Sequence, residues 1–444
     1  RYSKSRIRDR MPQHHDRQKK RERTAMKYPL SRFGKKFTSP SGISGLMKDM
    51  GEALQTDEKV YMLGGGNPAH IPEVNALWRE RMGHILANGS EYERMVANYD
   101  TPQGKESFLK ALSGMLNREY GWKIGPENIA ITNGSQSAFF CLLNMFGGTD
   151  ESGKMRNILF PLLPEYIGYA DQAIEEGTFS ARKPRIEELP GNRFKYHPDL
   201  DNLEIGPEIG AVCVSRPTNP TGNVITDQEL AVLSERTAEK GIPLIVDNAY
   251  GAPFPNIIFT DANLIWDEHI ILSMSLSKIG LPASRTGIIV ASAEIIEALS
   301  GVNAILSLAN SSIGQVITAP LLESGDLLRL SSEVVRPFYL KKSRETMKVM
   351  DEAFAGIPYS IHVSEGSIFL WLWFKDLPIS SIELYRRLKK RNVLVIPGSY
   401  FFFGNDDPWP HRDQCLRVSY AQDSEDVRRG IEIMAEELRL IYGS

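Results

Sequence analysis

Cysteine is scarce in this chain. Cys141, Cys213 and Cys415 lie far apart, in an odd number, and fit neither a disulfide framework nor a metal-ligand spacing. The eight histidines are scattered; His14 and His15 adjoin, but no cysteine or carboxylate cluster goes with them. No metal centre is therefore expected, and a reducing compartment, the cytoplasm, is the simpler setting. Long apolar runs are missing as well: the longest, around Ile368 to Phe374, has the length of a strand, so no membrane span is expected. Nor does one charge dominate. A net charge of −3 over 444 residues argues against nucleic acid as the ligand of the body. Apolar residues are nearly absent from residues 1 to 25, which are dense in Arg and Lys and expected to be disordered. Such an arm could touch nucleic acid, but an over-called or extraneous start ahead of Met26 is the simpler expectation. The polar N-terminus lacks the apolar stretch of a secretion signal, so none is expected.

What is present suits a large core. With 42% hydrophobic residues the chain can form two domains, or one body with a lobe. Between residues 129 and 291, short apolar runs alternate with helical stretches, the pattern of a mostly parallel sheet with right-handed crossovers. Ile129 to Thr132 reads as a strand, followed by Asn133-Gly-Ser-Gln-Ser137 and a helix over Ala138 to Met145. The N–H groups of Ser135 and Gln136 there would suit an anion. Asn157 to Phe160 leads to Pro164-Glu-Tyr-Ile-Gly-Tyr169, where Tyr166 could stack on a flat ligand or simply pack. Ala211 to Ser215 runs into Arg216-Pro-Thr-Asn-Pro-Thr-Gly222, with Asn219 restrained between two prolines. Thr226 to Glu229 is a capping box opening a helix that ends near Gly241. Ile242 to Tyr250 contains a buried-type strand ending in Asp247, a costly placement unless the carboxylate meets a cation, either a protein side chain or a protonated ring nitrogen.

His269 to Met274 is another such strand. Beyond it come Ser275, Ser277 and Lys278, a Gly/Pro turn, and Arg285 leading into Gly287 to Ala291. A lysine at a strand end, in apolar and hydroxyl-lined surroundings, loses its proton more easily than a surface lysine, the condition for a Schiff base with a carbonyl. Arg285 and the hydroxyls would grip a phosphate. Lysine and phosphate clamp together suggest pyridoxal phosphate. Gly134, Asn219, Asp247 and Lys278 all fall where ligands gather in such sheets, at the strands' carboxyl ends.

Elsewhere, Gly64-Gly-Gly-Asn-Pro68 lets backbone pass close to a ligand, or is a plain tight loop. Tyr99 precedes a Pro-Gly turn and by default is a surface tyrosine. After about Thr318 the pattern changes to a long helical stretch, Leu328 to Phe354. Strand-like runs then follow at Ser367 to Phe374, Val393 to Ile396 and Cys415 to Ala421, with a last helix over Asp423 to Leu440. Arg417 lies inside an apolar strand and needs an anion, whether a substrate carboxylate or one of the protein's own.

From Met26 onward the chain resembles the fold-type I PLP-dependent aminotransferases. The resemblance rests on the ordered set Tyr99…Gly104, Gly134-Ser135-Gln136, Tyr166, Asn219-Pro-Thr-Gly, Asp247-x-Ala-Tyr250, Ser275-x-Ser277-Lys278, Arg285 and Arg417. It implies an α/β fold: a basic tail (1–25), an N-terminal segment packing on the small domain and the site (26–75), a large PLP-binding domain with a mostly parallel sheet (76–318) and a smaller α+β domain (319–444). It also implies that Lys278 holds the cofactor and moves the proton, and that Asp247 faces the ring nitrogen. Asn219 and Tyr250 would bond the ring's 3′ oxygen, and Tyr166 would stack on the ring. Ser135, Gln136, Ser275, Ser277 and Arg285 would bind the phosphate, with Tyr99 reaching over from the second subunit of a homodimer. Arg417, Asn219, Gly65 and Gly66 would take the substrate carboxylate. No cation occurs in Ala304 to Ser312, where dicarboxylate-specific members bring a second arginine, so a neutral side chain such as that of alanine or valine is expected. Ile43 and Leu46 are candidates for its wall. A C–S lyase on the same scaffold shares these residues. A PLP-binding regulator would need a longer and more apolar arm than residues 1–25.

Overall fold

The structure is a computed structural model and describes residues 28–39, 45–46, 48–49, 51 and 58–443; the basic stretch 1–25 and Ile43 lie outside them. The chain divides into a unit ending at Ser39 and a second from Pro40 to Ser444. In the first, the helix Arg32–Thr38 is capped by the Ser31 hydroxyl, which accepts from Gly34 N at 3.1 Å. The site lies in the second.

The strands of that unit are, in chain order, β1 (Tyr61–Met62), β2 (Ile129–Asn133), β3 (Gly148–Thr149), β4 (Met155–Phe160), β5 (Phe179–Ala181), β6 (Arg185–Leu189), β7 (Arg193–His197) and β8 (Ile209–Ser215). They continue with β9 (Leu244–Asp247), β10 (Ile270–Ser275), β11 (Thr286–Val290), β12 (Tyr359–His362), β13 (Phe369–Phe374), β14 (Val393–Leu394), β15 (Ile396–Pro397) and β16 (Cys415–Ser419). Among the described residues, an eight-stranded sheet takes the order β2-β11-β10-β9-β8-β4-β3, with β5 paired to β4. Pairing is parallel from β5 through β4, β8 and β9 to β10, while β11 and the short β3 run against their neighbours. The expected mostly parallel sheet is thus present. β8, β9 and β10 are buried along their whole length, because a parallel sheet is covered on both faces and favours continuous apolar runs over alternation. The capping box is observed: Thr226 and Glu229 open the helix Asp227–Lys240, and Gly241 closes it at φ 64°.

Register decides what reaches the sheet's end. Ser215 on β8 lies opposite Asp247 on β9, which lies opposite Ser273 on β10. Beside β2, the helix starts at Ser135, three residues earlier than expected, directly after Gly134.

A second sheet of six strands has the order β15-β16-β13-β12-β7-β6. Its β6–β7 hairpin comes from the stretch assigned to the larger domain, so sheet membership cuts across the 318/319 boundary. The expected strand Val393 to Ile396 divides in two: β14 pairs with β1, and β15 pairs with β16. The β1–β14 pair, with Ser419 N donating to Leu63 O at 2.7 Å, ties the glycine loop that begins at Gly64 to the strand carrying Arg417. The other helices of the unit include Pro72–Ala87, Glu106–Tyr120, Ala293–Ser307, Ile313–Ser324, Arg336–Ala353, Ser381–Lys390 and Ser424–Tyr442. No helix among the described residues is long and apolar enough to cross a membrane.

Candidate active site

β10 ends at Ser275, and the next turn of chain, Ser277–Ile279, is a 3₁₀ helix closed by Gly280 at φ 94°. Trp78 holds this turn from behind, its Nε1 donating to Ile279 O at 3.1 Å. Lys278 therefore projects into a cavity whose wall includes Ser135, Gln136, Tyr166, Asn219, Asp247, Tyr250, Ser275, Ser277 and Arg285. All are residues singled out from the sequence. The Lys278 ammonium donates to Gly66 O at 2.8 Å and lies 5.5 Å from the Tyr250 ring centre. It opens on the cavity, yet protein surrounds it. Burial, then repulsion from Arg417 and Arg285, holds its pKa down at about 8, against the opposing pull of Asp247.

Asp247 is buried and among the described residues meets no cation in direct contact. Tyr169 donates to its Oδ2, and Ala249 N donates to Oδ1 at 3.1 Å. Burial outweighs these bonds and raises its pKa to about 6. Of the two readings of this carboxylate, a structural salt bridge is not found among the described residues.

Arg285 sits at φ 48° beyond the turn, donating to Pro282 O at 3.1 Å and Asn133 O at 3.5 Å. Gly134, at φ 80°, makes room for it: a Cβ there would lie 1.9 Å from Arg285 Nη2. The first N–H groups of the helix Ser135–Phe146 have no partner within that helix. Ser275 and Ser277 stand beside them, the Ser277 N–H donating to Ser275 Oγ at 3.0 Å. The Gln136 side chain is engaged elsewhere, on Gly168 O at 3.0 Å.

Arg417 is buried on β16. It donates to Asn219 Oδ1 at 2.8 Å and Gly64 O at 2.7 Å, and its Cζ lies 4.0 Å from the Phe369 ring centre and 5.3 Å from that of Phe401. Its buried Nε has no partner, and among the described residues no carboxylate pairs with it. Burial lowers its pKa to about 10, with the neighbouring Tyr250 and Tyr166 opposing. Because Asn219 spends its oxygen on Arg417, its amide N–H groups remain to donate elsewhere. Burial also pushes the Tyr250 phenol well up.

Leu46 lines an adjoining hollow with Gly64, Gly66, Ile167, Ile396 and Arg417. Tyr99 does not line either cavity and is 83% exposed. Gly64 was not expected to contact Arg417, and Glu165, Tyr169 and Ser215 were given no role. The aromatic spacing Tyr166-x-x-Tyr169 at a strand end was the available signal for Tyr169.

Residues 78–434 match the family model for aminotransferases of class I and II. The chain is 51% identical over 409 residues to valine–pyruvate aminotransferase of Escherichia coli (strain K12), spanning 92% of this chain and 98% of that protein. The solved structure of valine–pyruvate aminotransferase AvtA from Salmonella typhimurium LT2 has a TM-score of 0.84 at 47% identity, over 91% of this chain and 100% of that one. A structure from Psychrobacter arcticum 273-4, assigned as an amino-acid aminotransferase, has a TM-score of 0.92 at 48% identity, over 94% and 100%.

Proposed function

The chain belongs to the class I and II aminotransferases, and from that premise we propose that it transfers an amino group between L-valine and pyruvate. The products are 2-oxoisovalerate and L-alanine, and the cofactor is pyridoxal phosphate. The observation that carries this reading is the meeting of Lys278, with its lowered pKa, and the buried Asp247 at one cavity that also holds an anion cradle. The cradle fits a phosphate: Gly134 leaves the Arg285 guanidinium its place, and hydroxyls and helix N–H groups converge there. The unpartnered Arg417 Nε, buried with no carboxylate beside it among the described residues, fits a second anion.

Bound pyridoxal phosphate supplies an aldehyde that couples to primary amines and a ring that accepts electrons from the substrate's Cα. Lys278 offers the amine that holds it. With the cofactor bound, the same amine would act as the base that moves a proton between the substrate's Cα and the cofactor. Asp247 would hold a proton on the cofactor's ring nitrogen. Asn219, through its free N–H groups, and Tyr250 would bond the ring's 3′ oxygen, and Tyr166 would cover one ring face. Ser135, Gln136 through its backbone, Ser275, Ser277 and Arg285 hold the phosphate. Arg417, aided by Asn219, Gly65 and Gly66, grips the substrate carboxylate. Leu46, Ile167 and Ile396 form an uncharged wall that suits valine. Because an apolar pocket separates single methylenes by only about 1–3 kcal/mol, alanine, valine and 2-aminobutyrate overlap as substrates.

The reading includes a cytoplasmic homodimer in which Tyr99 completes the neighbouring site. Asn310 Nδ2 donates to Pro102 O at 2.9 Å, joining the Tyr99 turn to a stretch that exposes Ile305, Leu306 and Leu308. The cofactor-binding body is 76–318, and the smaller domain is 319–444 together with the β6–β7 hairpin.

Absorbance spectra of the purified protein test the proposal. A yellow band that L-valine converts to a near-ultraviolet band, and that pyruvate restores, is the expected result. A yellow protein indifferent to valine but active on another amino acid would move the substrate. Pyruvate and ammonia released from cystathionine without a keto acid would favour lyase chemistry. No band after adding pyridoxal phosphate would sink the reading.

A further inference from the structure

Two carboxyl groups are buried together beneath the cavity, and the chemistry above uses only Asp247. The other, Glu165, is 1% exposed, in the turn between β4 and the helix Ile167–Ala170. Its Oε1 accepts from Ser215 N at 2.8 Å; its Oε2 accepts from Tyr166 N at 3.1 Å and lies 2.6 Å from Ser215 Oγ. Ser215 Oγ is 3.4 Å from the Tyr169 hydroxyl, and Tyr169 donates to Asp247 Oδ2. Among the described residues, the titratable groups facing Glu165 are Asp247 on β9, Cys213 on β8, Tyr166 of its own turn and Tyr169 of the helix that follows; none is a cation.

We propose that Glu165 is a neutral carboxylic acid whose O–H starts a one-way donor chain through Ser215 and Tyr169 to Asp247, so that the single negative charge of the pair rests on Asp247. An ionised carboxylate without a cation is too costly at such a depth, and two carboxyls in one dry region share their protons unequally. The direction of the chain decides which is neutral. Tyr169 gives its hydrogen to Asp247; a protonated Glu165 can then donate to Ser215 and leave Ser215 to donate to Tyr169, whereas an ionised Glu165 would take the Ser215 hydrogen and leave the 3.4 Å Ser215–Tyr169 contact without one. Reversing the chain would make Asp247 the donor and remove its charge. Burial pushes Glu165 up to about 8 against about 6 for Asp247, the same order. Glu165 is thus a positioning residue that keeps Asp247 charged. Its consequence for the ring nitrogen rests on the proposed function.

Infrared spectra of the full chain carrying glutamate ¹³C-labelled at the side-chain carboxyl test the assignment, without added cofactor. At pH 7 a protonated-glutamate C=O band is expected, fading above about pH 8. It should be missing from Glu165→Gln, whose amide still donates to Ser215. If that variant does not fold, the wild-type band and its titration decide alone, because exposed glutamates are ionised at pH 7. No protonated-glutamate band at pH 7, or one that survives Glu165→Gln, would overturn the proposal. In protein loaded with pyridoxal phosphate, Ser215→Ala should shift the pH midpoint of the cofactor's absorbance, and Glu165→Gln should leave it in place. An equal shift in both would also overturn it. Failure to bind pyridoxal phosphate would remove the aminotransferase reading while leaving the infrared result standing.

Discussion

The two arginines that face Lys278 are held in opposite ways. Arg285 is exposed, set by a left-handed backbone and by the carbonyls of Pro282 and Asn133. Arg417 is buried in a strand against two phenylalanine rings, with Asn219 and Gly64 as its partners. Among the described residues neither meets a carboxylate. Water can satisfy an exposed guanidinium, so an anion at Arg285 adds one strong donor to several weaker ones. At Arg417 no such substitute is at hand, and a buried cation with neutral partners leaves the fold short of one anion. The difference separates a seat held by many small contributions from a seat dominated by one.

Exchange of each arginine should break that symmetry differently. Arg417→Ala removes a buried, hydrogen-bonded charge, worth about 2–5 kcal/mol toward a carboxylate, so kcat/KM for valine should fall by roughly thirtyfold to several-thousandfold. Steady-state kinetics at saturating pyridoxal phosphate measure this, and the cofactor spectrum should be unchanged. Loss of cofactor binding in this variant would erase the distinction.

Lys278 lies between the two cations, and a smaller effect should report their joint field. Its neutral fraction rises up to a pKa of about 8. The rate at which cofactor-free protein turns yellow with pyridoxal phosphate should therefore climb roughly fiftyfold between pH 6 and 8 and then level off. Continued tenfold gains per unit above pH 8 would mark an ordinary lysine. Arg285→Ala should have the least effect: pyridoxal phosphate bound about tenfold more weakly by spectroscopic titration, with KM for valine unchanged once the cofactor saturates.

The polar ends of the apolar strands were legible in the sequence because each stands where a hydrophobic run stops; Asp247, Ser275 and Lys278 are of this kind. Gly134 and the Thr226 cap were legible for local reasons of backbone geometry. Arg417 was half legible: an arginine in an apolar strand announces a need for an anion, but only the assembled fold shows that no described protein carboxylate meets it. The Glu165–Ser215–Tyr169 chain was not legible, since it depends on which strand lies beside which. The β6–β7 hairpin escaped for another reason. Its Arg185–Leu189 strand is largely exposed and lacks the apolar run that marks the others. Tyr99 carries no local signal of its role, because its expected partner is a second copy.

The cross-strand row Ser215, Asp247 and Ser273 has a consequence for how the cavity tolerates change. Successive side chains along a strand point to opposite faces, so a slip of one position between β8 and β9 would bring Val246 into line with Ser215 and turn Asp247 away. What prevents the slip is not the cavity. It is the fit of Leu244 beside Val212 and Ile245 beside Cys213, residues with no chemical duty. The charge at the ring-facing end is in this sense a matter of phase, kept in step by an apolar ladder that never meets the substrate.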